Sequence, residues 1–273
     1  MSDPELDLAG AVAIVTGAGS QTEGIGNGRA SAIMLARHGA RVAVVDRVEE
    51  AAEQTRRTIE QEGGSAAAFL GDVSDEQDCR DIVGRVGEHL GTPTILVNNV
   101  GVAGPPGAVD EVDLEAWDAG MRVNVKSMVL MSGLCVPAMA RAGGGSIVNM
   151  SSAAGLVGGH QAILYATSKG AITQLTRAMA AHHGPDGIRV NCVAPGMVYT
   201  PMVVTRGMTP EMRELRRNRS LLKSEGTAWD VGAAVLFLVS PMARWITGVV
   251  LPVDGGYSSA GMPLPTPPRP PVT

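Results

Sequence analysis

Three side chains within residues 149–170 have the types and spacing to move a proton. Tyr165 and Lys169 are four residues apart in a helical pattern, so they share one helix face. A phenol beside an ammonium is an acid/base device, because the cation favours the phenolate and draws the tyrosine pKa towards the working pH. Ser152 follows a short apolar run, residues 146–150, and lies thirteen residues before Tyr165. A strand ending there would bring its hydroxyl opposite the phenol. The same YxxxK spacing also occurs on ordinary exposed helix faces, so the rest of the chain has to decide what the trio does.

Positioning these groups requires a scaffold, and the apolar pattern supplies one. Continuous β-rich runs at residues 11–15, 41–45, 66–70, 94–97, 146–150, 188–193 and 248–253 read as buried strands. Helical patterns alternate with them at 29–38, 49–62, 74–89, 114–141, 165–183 and 228–239. This alternation predicts an α/β fold: a doubly wound parallel sheet (Rossmann fold) of seven strands with helices on both faces. Ligands of such sheets sit at the carboxyl ends of the strands, where nearly every glycine or polar cluster of this chain falls. One domain is expected over residues 1–261, with a mobile lid at about 197–224 and a proline-rich tail at 262–273.

The 273 residues are 45% hydrophobic but only 3% aromatic, so the core is built of Ala, Val, Leu, Ile and Met, with Trp117 also expected inside. A net charge of −5 argues against a nucleic-acid partner. No apolar run approaches the length of a membrane span, and the acidic start MSDPELDLAG does not read as a signal peptide. Cys79, Cys135 and Cys192 share no metal-ligand spacing. They read as small buried hydrophobes in a reducing compartment, so no metal and a cytoplasmic location are expected.

The first strand runs into a glycine-rich loop and then a helix, the form of a dinucleotide site. Glycines let the backbone approach a pyrophosphate, and the helix start offers N–H groups and partial positive charge. Asp46 closes the second strand, where a carboxylate can accept from both adenosine ribose hydroxyls and repels a 2′-phosphate. NAD is therefore expected over NADP, although Arg47 stands next to Asp46.

These pieces together resemble the short-chain dehydrogenase/reductase family. The resemblance covers residues 8–257 and rests on Thr16-Gly17 with the loop glycines, Asp72-Val73, Asn98-Asn99-Val100-Gly101, Asn124 in VNVKS, Ser152, YATSK, PGMVYT and VDGG. It implies that Tyr165 exchanges a proton with the substrate oxygen, that Lys169 lowers its pKa and holds the nicotinamide ribose, and that Ser152 hydrogen-bonds the same oxygen. Asn124 would hold a water in a proton relay. The cofactor would lie on Gly17, Gly19, Ser20, Ile25 and Gly26, with Asp46 and Arg47 at the ribose. Asp72 and Val73 would flank the adenine, and Asn99 and Gly101 the adenosine-side ribose region. Pro195, Gly196, Val198 and Thr200 would be at the carboxamide. The implied reaction moves a hydride between a secondary alcohol or ketone and NAD, in a homotetramer. An NADPH-linked 3-oxoacyl reductase is the alternative, and a catalytically silent nucleotide sensor a third reading.

One departure concerns the loop TGAGSQTEGIGNGRA, five residues longer than the family's. Counted from the helix, Gly26 and Gly28 fill the last two glycine places; by wording, Gly24-Ile25-Gly26 does. Both stay open, with Gln21-Thr22-Glu23 expected to bulge outward. His160, between Ser152 and Tyr165, reads as a solvated loop residue or a substrate contact. Arg206, Arg213, Arg216, Arg217 and Arg219 read as a solvated basic face of the lid, with a role towards an acidic substrate as the lesser reading.

Overall fold

The computed structural model describes residues 6–20, 24–204 and 207–259. The expected outward bulge at 21–23, Arg206 and the proline-rich tail lie outside the described residues. Seven strands form one parallel sheet: β1 (Val12–Thr16), β2 (Arg41–Asp46), β3 (Ser65–Leu70), β4 (Ile95–Asn98), β5 (Gly145–Met150), β6 (Ile188–Pro195) and β7 (Val250–Val253). Their spatial order is β3-β2-β1-β4-β5-β6-β7. The order reverses between β1 and β4, which opens a crevice at that point, beyond the strands' carboxyl ends.

The expected doubly wound architecture is present. Helices α1 (Asn27–Arg37), α2 (Glu49–Gln61) and α9 (Ala228–Val239) cover one face; α3 (Glu76–His89), α5 (Ser127–Arg141) and α6 (Ile163–His183) cover the other. Alternate β1 residues serve the two cores: Ala13 and Val15 face the first, Val12 and Ile14 the second. Local chemistry sets the helix ends. Asp75 caps α3 by accepting from the Gln77 and Asp78 N–H groups, and Gly39, at φ +94°, takes the left-handed turn after α1.

Four expectations change. The pattern at 114–141 is not one regular helix: α4 (Leu114–Met121) passes through a π-turn at Arg122–Lys126 before α5. By length and composition Leu114–Arg141 could cross a membrane, contrary to the expectation that no apolar run approaches that length. However, Met128, Met131, Cys135 and Met139 on this helix are fully buried in the protein's own core. Trp117 is half-buried, not core, and Trp245 is 92% exposed. Strand β6 also runs on through Ala194 and Pro195, where a break was expected. The lid holds two short helices, α7 (Pro201–Val204) and α8 (Pro210–Arg219), the second capped by Thr209.

The cysteines are buried and unpaired, as expected. Burial pushes the Cys79 and Cys192 thiols up to about 11 and that of Cys135 up to about 12, so none is a ready thiolate. Among the described residues no cluster of His, Cys, Asp and Glu could hold a metal.

Candidate active site

A groove of about 490 Å³ crosses the carboxyl ends of the strands. At one end Asp46 closes β2. Its Oδ2 accepts from Gly19 N–H at 3.0 Å and its Oδ1 from Val48 N–H at 3.1 Å. The carboxylate is therefore fixed and still has lone pairs facing the groove. Arg47, Asp72 and Val73 line the same end. Asp72 is set by its own turn, donating its N–H to Asp78 and accepting from Ser74 N–H.

Gly26 and Gly28 shape the end of the glycine loop. Gly26 is the extended residue before α1, and a Cβ built on it would meet nothing within 4 Å among the described residues. Among those residues the space above the helix start is open, as a diphosphate requires. Gly28, in the first turn, packs so closely on β1 that a Cβ would lie 2.2 Å from the Gly17 carbonyl oxygen. Gly17, Gly19, Ser20, Gly26, Asn27 and Gly28 line the groove, whereas Ile25 does not. Asn27 carried no signal beyond its place near the helix start. Its Oδ1 is buried without a protein partner among the described residues, an orphaned acceptor beside the open space. A groove with a fixed carboxylate, an open helix start and an unmatched polar atom fits a dinucleotide.

Asn99 also lines the groove, but its side chain holds the scaffold: Nδ2 donates to the carbonyls of Thr16 and Gly17 at 3.1 and 3.0 Å. This clamps β4 to the end of β1. Behind it, Asn98 Nδ2 donates to Asn149 Oδ1 at 2.9 Å, and Asn149 Nδ2 to Thr176 Oγ1 at 3.1 Å. A buried polar chain thus ties β4 and β5 to α6, and such chains fix geometry when every member is satisfied.

At the other end Ser152, Tyr165 and Lys169 converge on the groove. Helix α6 begins at Ile163, two residues earlier than the pattern indicated, which places Tyr165 in its first turn. Lys169 is 3% exposed; its Nζ donates to the Met150 carbonyl at 2.9 Å and lies 5.6 Å from the centre of the Tyr165 ring. Burial pushes its ammonium down to about 8, because desolvation penalises the charged form. Gly101 makes room for it: a Cβ there would come within 3.1 Å of Nζ. Ser152 Oγ accepts from Ala154 N–H at 3.2 Å, which turns the chain after β5.

Asn124 does not line the groove. Its Oδ1 accepts from Val102 N–H at 2.7 Å, and its Nδ2 donates to the Val102 carbonyl at 2.8 Å and to Ser168 Oγ at 2.9 Å. The side chain is fully buried and clamps the loop after β4 to α6. Both amide hydrogens are used, so it orders this end of the site without a free donor for a water.

The lid closes the same end. Pro195, Gly196, Val198 and Thr200 line the groove with Pro201, Met202 and Val203 of the lid. Two of the arginines expected on a solvated face are instead structural. Arg213 and Arg216 donate to Glu225 at 2.6 and 3.3 Å, Arg216 also donates to the Val198 carbonyl at 2.9 Å, and the Arg213 guanidinium sits 3.8 Å above the Tyr199 ring. The Glu225 side chain is only 6% exposed. Arg217 pairs with Glu214 within its own helix.

Known proteins resemble this chain in sequence and fold. A family model described as enoyl-(acyl carrier protein) reductase matches residues 19–258. The 2-(R)-hydroxypropyl-CoM dehydrogenase of Xanthobacter autotrophicus is 38% identical over 251 residues, covering 91% of this chain and 98% of its own. A 7α-hydroxysteroid dehydrogenase solved with NADH and 7-oxo glycochenodeoxycholic acid superposes with a TM-score of 0.87 at 35% identity, covering 94% of this chain and 98% of that one. The gluconate 5-dehydrogenase of Burkholderia cenocepacia, solved with NADP and tartrate, has the same TM-score at 29% identity, covering 94% and 98%.

Proposed function

The chain belongs to the short-chain dehydrogenase/reductase family, oxidoreductases acting on CH–OH groups, and on that premise we propose that it oxidises a secondary alcohol with NAD. The observation that carries the reading is one groove with a fixed carboxylate, Asp46, at one end and Ser152, Tyr165 and Lys169 at the other.

Bound NAD would supply the hydride acceptor for the carbinol carbon. The chain's own residues handle the oxygen. Tyr165 takes the hydroxyl proton as the carbonyl forms, and Ser152 holds the same oxygen by a hydrogen bond. The Lys169 ammonium stabilises the phenolate and lies near enough to the groove to hold the nicotinamide ribose. Val198 and Thr200 stand where the carboxamide would be fixed, and Asn124 sets the floor of the site through Val102. Asp46 would accept from the adenosine ribose and disfavour a 2′-phosphate.

The runner-up is an NADPH-linked 3-oxoacyl or other carbonyl reductase, which the acyl-reductase description of the matching model and Arg47 on the groove wall support. Spectrophotometric screening of secondary alcohols with NAD and NADP separates the two. Wild type is expected to favour NAD, and Asp46→Ala to reduce that preference by about tenfold, the effect of losing one charge-assisted hydrogen bond. A wild type that prefers NADP overturns the cofactor assignment.

A further inference from the structure

Arg216 reaches from the lid to a peptide on the groove wall. Its Nη2 donates to the Val198 carbonyl at 2.9 Å and its Nε to Glu225 Oε1 at 3.3 Å. Two points of the planar guanidinium are thus held, which fixes its direction as well as its place. Val198 is 5% exposed and lines the groove with Pro195, Gly196 and Thr200. This strip starts beside the reacting groups, since Ser152 Oγ lies 3.5 Å from the Pro195 carbonyl oxygen.

The peptide between Val198 and Tyr199 is gripped at both of its polar atoms. Tyr199 N–H donates to the Gly226 carbonyl at 2.9 Å, and Gly226 N–H donates to the Met197 carbonyl at 3.2 Å. The backbone thus holds the N–H side of this peptide, and Arg216 holds its carbonyl. A guanidinium only donates, so a flipped peptide would set an N–H against it and lose the Gly226 bond as well. The carbonyl oxygen has two lone pairs, and the second can accept from a ligand. A primary amide such as the nicotinamide carboxamide supplies that donor. The placement of the ring matters, because a shift of about 1 Å can cost about 100-fold in rate.

We infer that Arg216 is a positioning residue for the nicotinamide end of the cofactor: by fixing the Val198 carbonyl it sets where the carboxamide is held, and so how the ring meets the substrate carbon. This rests on the NAD reading above. Arg216 is not among the groove-lining residues and acts through the peptide. Its neighbour Arg213 also donates to Glu225, at 2.6 Å, but lays its guanidinium over the Tyr199 ring. Arg213 therefore keeps Glu225 paired when Arg216 is changed.

The test titrates wild type, Arg216→Met and Arg216→Lys with NADH and with ADP-ribose, which carries the cofactor's adenosine, diphosphate and second ribose but no nicotinamide. Methionine keeps an unbranched stem and removes every donor. The dissociation constant for NADH is therefore expected to rise about tenfold, the effect of one charge-assisted hydrogen bond, while that for ADP-ribose stays within about twofold of wild type. Lysine restores one donor and is expected to recover part of the NADH affinity. If both ligands weaken equally in Arg216→Met, or neither does, Arg216 supports the lid only and the inference falls. A wild type that binds neither ligand overturns the NAD reading, and this inference with it. A wild type that shows the contrast but oxidises no secondary alcohol overturns the alcohol reading and leaves the role of Arg216 standing.

Discussion

The two ends of the groove are built from different materials. The end at Asp46 is mostly backbone: a glycine loop, an open helix start and strand ends, with one carboxylate pinned by two N–H groups. The end at Tyr165 is mostly side chain: a buried ammonium, a phenol, a serine and a stacked imidazole, roofed by a lid tied down through Glu225. Backbone sites bind whatever has the right charge and shape, and they tolerate little added volume. Side-chain sites do chemistry and select. Damage to the first should therefore appear in cofactor affinity, and damage to the second in turnover and substrate choice.

The largest effect tests the reacting end. Tyr165→Phe removes only the phenolic oxygen, and kcat is expected to fall by roughly 10³-fold, within the usual range for a general acid/base. NADH affinity, measured by fluorescence titration, should stay within about threefold of wild type. Near-normal turnover would show that the proton leaves by another route.

The pH dependence of wild type probes the same pair without mutation. Burial holds the Lys169 ammonium at about 8, so its charge is present below that pH and lost above it. Loss of that proton removes the cation that stabilises the phenolate. The kcat/KM for oxidation is therefore expected to stop climbing near this value. A profile still climbing at pH 10, near the ordinary tyrosine value of about 10, would mean that the ammonium does not act on the phenol.

Two neighbouring glycines sharpen the contrast from the backbone end. An alanine at Gly26 projects into open space, and one at Gly28 strikes the Gly17 carbonyl. Gly26→Ala should leave the melting temperature almost unchanged, since the backbone there is extended, and weaken NADH binding by about tenfold. Gly28→Ala should cost about 1–3 kcal/mol of stability, a fall in Tm of several degrees. Calorimetry and titration on the two variants separate the roles; equal melting temperatures would remove the close-packing role of Gly28.

This difference in materials also explains what could be read from the sequence. Strand runs, the i,i+4 pair of Tyr165 and Lys169 and Asp46 at a strand end are local patterns, and they were legible. Asn124 was found by its surrounding residues, but its side-chain partner Val102 lies 22 positions away, and nothing local says that both amide hydrogens are used. The π-turn around it leaves no mark in apolar spacing. Asn27 and the stacking of His160 on Tyr165 likewise depend on contacts that the loop paths create. The lid misled for a related reason. Five arginines read as a solvated face, because the acid that claims two of them, Glu225, lies 12 residues beyond Arg213.

That acid supports the smallest prediction, and the sign of its effect is informative. Glu225 is nearly enclosed, but Arg213 is 42% exposed, so water screens much of the attraction. Arg216 keeps its bond to the Val198 carbonyl whatever happens to Glu225. Glu225→Gln should therefore loosen the lid without unfolding it, raising KM for the alcohol by roughly threefold to fivefold, the equivalent of about 1 kcal/mol. Turnover distinguishes what the lid controls. If opening limits product release, kcat rises as KM rises; if closure only orders the substrate, kcat falls slightly. Among the described residues the hydrogen bonds of this pair do not reach Asp46 or Arg47, so the NAD-to-NADP preference should not move. Steady-state kinetics with both cofactors read all three quantities, and an unchanged KM would place the hold on the lid elsewhere than Glu225.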